Sequence, residues 1–131
     1  MPDRRLLIAV LLAATLPTAW AADLFVVAHP GVTLTADEVR DVFIGEKQFA
    51  GSVKLVPMDN AALQADFLAR VVKADAARYA TIWSKKGFRD GLTPPSVRGT
   101  DNEVLASVKS TPGAVGYVSK PSADVKVIHK Y

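Results

Sequence analysis

Hydrophobic positions along the chain fall into two regimes. The first is an apolar stretch from Leu6 to Leu16, set behind Arg4 and Arg5 and broken by Pro17. Its 11 residues are too few to span a bilayer core, which takes about 20 in a helix. Ala19-Trp20-Ala21 follows with the small-x-small pattern that signal peptidases cut. The pattern predicts an export signal over 1–21, with cleavage after Ala21, and a single domain over 22–131. No later segment approaches a membrane-spanning length, so the mature chain is expected not to be membrane-embedded.

After the signal, short apolar runs alternate between strand and helix periods. Leu24–Ala28 reads as a strand closed by His29-Pro30-Gly31. Thr35-Ala36-Asp37-Glu38 is a capping box. Val39, Val42 and Phe43 then recur at helical spacing, with Gly45 placed to end that helix. Val53–Val56 alternates as a second strand, stopping at Pro57. Asp59 and Asn60 offer a cap for a helix whose face carries Leu63, Phe67 and Val71. Asp75 opens another, with Tyr79, Ile82 and Trp83 inward and Lys85-Lys86-Gly87 at its end. Residues 88–99, rich in glycine and proline, read as loop. Thr100-Asp101-Asn102-Glu103 is a second capping box before Val104, Leu105 and Val108. Ala114–Val118 and Val125–Ile128 complete the series as strands. The order β-α-β-α-α-α-β-β predicts an α/β sandwich with a small, mostly parallel sheet flanked by helices.

Composition narrows the chemistry. The net charge of +3 is mild and the signs are interspersed, so nucleic-acid binding has no footprint. With no cysteine, the core must hold an exported fold without disulfides. His29 and His129 are the only imidazoles, and neither sits in a metal-ligating or nucleophile-activating pattern. Asp37, Glu38 and Asp41 gather at a helix start, where they favour the dipole. Tyr79, Trp83 and Phe67 could form a stacking platform, but their helical spacing suits core packing. No metal or cofactor is expected, and no catalytic constellation is present. One segment has a route to ligand binding: Asp59, Asn60, Ala61 and Ala62 follow a strand and open a helix. Free backbone N–H groups at a strand's carboxyl end suit a small anion. The competing reading is that Asp59 or Asn60 merely caps the helix.

The run Leu34-Thr35-x-x-Glu38-Val39-x-x-Val42-Phe43-x-Gly45 resembles a segment of the periplasmic phosphate-binding proteins of ABC importers. Val53–Pro57, Phe67-Leu68 and Trp83 follow in the same order. Thr111-Pro112-Gly113-Ala114-Val115-Gly116-Tyr117-Val118 is similar to that family's "T-P-G-A-I-G-Y-V" strand. The resemblance spans about residues 33–120 and matches one lobe of a two-lobed family. It implies a single-lobe, type II periplasmic-binding-protein-like fold, a small oxyanion such as phosphate as ligand, and an inner-membrane transporter or sensor protein as partner. A homodimer would rebuild a cleft. The family's phosphate loop carries an arginine and a Ser-Gly-Thr run. Here the corresponding stretch, Met58-Asp59-Asn60-Ala61-Ala62-Leu63, lacks the arginine and the hydroxyls, leaving backbone amides as anion donors. The alternative is an interaction or sensor-accessory module that kept the lobe and lost the ligand.

Overall fold

A computed structural model describes residues 23–131; the expected signal segment, 1–21, lies outside the described residues. β1 is Phe25–Ala28, and a short 3-10 turn, Ala36–Glu38, leads into α1, Val39–Phe43. Glu38 Oε1 accepts the Thr35 N–H at 2.9 Å, so the first capping box forms. A small hairpin follows, β2 (Phe49–Ala50) against β3 (Val53–Lys54). β4 then runs Val56–Asn60, and α2, Gln64–Phe67, continues through a π-helical turn over Leu68–Val72. α3 is Ala76–Asp90, β5 is Ser96–Arg98, α4 is Asp101–Ser110, β6 is Ala114–Val118 and β7 is Lys126–Lys130.

The five-stranded sheet has the order β5-β4-β6-β1-β7. β4 pairs parallel with β5 and β6, while β1 pairs antiparallel with β6 and β7. Four strands therefore point one way and β1 opposes them, the mostly parallel sheet expected from the element order. Strand alternation divides the core into two layers. Val26, Ala28, Val115 and Tyr117 face α1, α2 and α3, with Phe43, Phe67 and Trp83 among them. Val27, Met58, Ala114 and Val118 face α4 through Val104 and Val108. Gly116 permits that second contact, since a Cβ there would lie 2.7 Å from Val104.

Several boundaries differ from the sequence reading. The strand expected to stop at Pro57 instead starts at Val56 and passes through Pro57 to Asn60. Pro57 is tolerated because the bond that anchors this end is donated by Val56, whose N–H reaches the Gly113 carbonyl at 2.9 Å. α3 continues past Gly87 to Asp90, where Gly91, with φ 68°, supplies the left-handed cap. The segment read wholly as loop contains β5, an exposed three-residue edge strand.

Candidate functional site

In a parallel sheet, ligand crevices open at the carboxyl ends of strands whose connections leave toward opposite faces. β4 leaves toward α2 and α3, and its neighbour β5 leaves toward α4. The segment Asp59, Asn60, Ala61 and Ala62 lies at that end of the sheet. Asp59 and Asn60 are strand residues of β4, and the helix starts at Gln64 rather than at Ala61.

Both polar side chains of this segment, and the N–H groups of Ala61 and Ala62, have partners inside the protein. Asn60 is fully buried. Its Nδ2 donates to Asp101 Oδ1 at 2.8 Å and to the Tyr117 carbonyl at 3.0 Å. Its Oδ1 accepts the Ala62 N–H at 3.0 Å, closing an Asx turn. The Ala61 N–H donates to the Arg98 carbonyl at 2.8 Å, stitching β4 to β5 across the crevice. The Leu63 N–H donates to the Asn60 carbonyl at 3.0 Å. The amides of Ala61 and Ala62 therefore point at protein acceptors.

Asp101, the first residue of α4, completes the arrangement. Its Oδ1 takes Asn60, and its Oδ2 takes both the Ser119 backbone N–H, at 3.0 Å, and the Ser119 hydroxyl. One carboxylate thus joins the carboxyl ends of β4 and β6 at a helix N-terminus, a place suited to an anion. Read from sequence, Asp101 was only the second residue of a capping box. The cap itself forms, with the Glu103 N–H on Thr100 Oγ1 at 3.2 Å. Ser119 follows a strand without local signal, and its pairing with Asp101 is a tertiary contact.

Asp59 faces the opposite layer and is 1 % exposed. Tyr117 donates its hydroxyl to Oδ1 at 2.8 Å, and Tyr79 donates to Oδ2 at 2.9 Å. Burial raises the Asp59 carboxyl above its ordinary value, and the hydrogen bonds from Tyr117, Tyr79 and Gln64 oppose that rise. Both tyrosine hydroxyls are pushed up, first by burial and then by the Asp59 charge. Tyr117 also stacks on Phe67, with ring centroids 3.9 Å apart, and meets Phe43 edge-on. Phe67 is therefore core, as its spacing suggested.

The other candidates are placed simply. His29 Nδ1 accepts the Gly31 N–H at 3.3 Å, and His129 packs edge-on against Tyr131. Glu38 pairs with Lys47, and its carboxyl is lowered chiefly by the hydrogen bond from the Thr35 backbone. Among the described residues, no group of three or more His, Cys, Asp or Glu side chains could hold a metal ion. No described helix is long and apolar enough to cross a membrane.

No family model matches the chain, and no curated protein matches it. Solved structures do. An ABC-type phosphate transport receptor from Vibrio cholerae is similar over 82% of this chain and 46% of its own, with TM-score 0.50 and 16% identity. A phosphate ABC transporter substrate-binding protein from Clostridium perfringens, solved with bound phosphate, is similar over 82% of this chain and 45% of its own, with TM-score 0.51 and 13% identity. The chain thus has the periplasmic-binding-protein fold and spans less than half the length of these proteins, as expected of a single lobe.

Proposed function

We propose that this chain is an exported, non-catalytic periplasmic module of the substrate-binding type, associated with phosphate or other oxyanion ABC transport. It works through contact with a protein partner, such as an inner-membrane transporter or sensor, without holding an oxyanion at the end of β4. The observation that carries this reading is the Asn60–Asp101–Ser119 network. A phosphate arriving there would meet a carboxylate already holding the available donors, and like charges at such range repel by about 1 kcal/mol or more even in water. The stretch also lacks the arginine and hydroxyls that buried phosphate normally requires.

The solute-binding reading is favoured by the fold shared with a phosphate-bound structure. Calorimetric titration of the chain with phosphate and sulfate at constant ionic strength separates the two. The interaction module gives no saturable heat with either anion. A saturable heat, at one anion per chain or one per two chains, establishes the solute binder instead.

A further inference from the structure

The hollow between α3 and β5 has its own chemistry, on the opposite side of the sheet from α4. Its volume is about 510 Å³, within the range of small-ligand sites, about 300–1,000 Å³. α3 lines it with Tyr79 and Trp83, one turn apart on its buried face, and with Phe88 near its C-terminal end, while Val97 of β5 forms the facing wall. The Trp83 N–H is spent on the Phe43 carbonyl at 3.0 Å, so the indole, 7% exposed, brings an apolar edge and no donor to the hollow. Phe88 is 96% exposed on the rim and Val97 is 58% exposed, so neither serves the core.

One charged side chain, Asp59, lines this hollow. Alternation along β5 sends Arg98 to the face away from Val97, and on α3 Lys86 turns aside to pair with Glu46. The groups acting on the Asp59 carboxylate are Tyr117, Tyr79 and Gln64, all neutral. Each of its oxygens takes one tyrosine hydroxyl, and a carboxylate oxygen has lone pairs for a second donor. When ionised, a nearly dry carboxylate held only by neutral donors is under-compensated. What complements it is a positive charge on an apolar body.

We propose that this hollow binds a small organic cation, an alkyl- or arylammonium, with its ammonium on the Asp59 carboxylate and its apolar part between Tyr79, Trp83, Phe88 and Val97. This site shares Asp59 with the segment at the end of β4 but lies on the opposite side of the sheet from the Asn60–Asp101–Ser119 network.

The test is calorimetry on the full chain with 2-phenylethylammonium, alongside its neutral isostere 2-phenylethanol. The ammonium is expected to bind saturably at one per chain. The alcohol should bind about tenfold more weakly, the discrimination that a hydrogen bond to a charge supplies. Phe88→Ala, a surface change, weakens the ammonium severalfold, and Asp59→Asn brings it down to the level of the alcohol. Equal binding of ammonium and alcohol, absence of saturation, or indifference to Phe88→Ala overturns the proposal. If Asp59→Asn does not fold, the comparison of the two ligands on the unaltered chain and on Phe88→Ala still decides it.

Discussion

Changing Tyr117 to Phe removes one hydroxyl and keeps the ring. Tyr117 is fully buried and stacked on Phe67, so the packing survives the substitution. What is lost is the 2.8 Å donor to Asp59 Oδ1. A hydrogen bond to a charged group contributes about 1.5–3 kcal/mol, and one between neutral groups about 1 kcal/mol. The cost therefore depends on whether Asp59 is ionised. Its carboxyl is raised by burial, so the folded state holds this proton more tightly than the unfolded chain does. The stability it contributes is complete below the unfolded value and is lost as pH rises through the folded one. Removing a donor to the carboxylate lifts the folded value further and steepens that loss. We expect Tyr117→Phe to cost about 2 kcal/mol near pH 8.5 and about 1 kcal/mol near pH 4. Urea unfolding at both pH values measures it, with the slope m unchanged. A cost under about 0.5 kcal/mol at both, or an equal cost at both, refutes the assignment of Asp59 as a hydroxyl-held buried carboxyl.

Further expectations concern the rest of the fold. Gly113 has φ 85°, and a Cβ there would lie 2.0 Å from the Lys54 carbonyl oxygen. Gly113→Ala should therefore cost about 3 kcal/mol or more, by strain and overlap together, read as a large drop in Tm. Tyr79 and Tyr117 are both raised above their ordinary value. Their contribution is full below the unfolded value and is lost above about pH 10, so stability should fall steeply there, and less steeply in Tyr79→Phe. Phe67 is fully buried and Phe88 is 96% exposed. Phe67→Ala should cost about 3–5 kcal/mol and Phe88→Ala under about 0.5 kcal/mol, by chemical denaturation.

Locally encoded features were legible in the sequence. The Thr35 box forms as read, Thr100 caps its helix through the Glu103 N–H while the Glu103 carboxylate takes the Gly99 N–H instead, and Ala114–Val118 is the strand its apolar run suggested. β5 was not legible: three exposed residues behind Pro94-Pro95 carry no periodic signal, and only pairing with β4 makes them a strand. Pro57 disguised β4 for a related reason, since tolerance of a proline depends on which neighbouring N–H anchors the strand. The candidate segment at Asp59–Ala62 was locatable, but its bonding was not. The tyrosines that hold Asp59 stand 20 and 58 residues away, and the carboxylate that takes Asn60 stands 41 residues away. Spacing rules see helical and strand neighbours, not pairs brought together by crossovers.

The proposed function has Asp101 standing in for an anion at the end of β4. Stability should be measured against phosphate concentration at constant ionic strength for the unaltered chain and for Asp101→Ala. The account predicts no saturable gain for the unaltered chain. It predicts a saturable gain for the variant, whose Asn60 and Ser119 donors are freed for an external anion. A ligand in hundredfold excess over its dissociation constant stabilises by about 2.7 kcal/mol. A gain of that size in the unaltered chain, or the same response in both proteins, contradicts it.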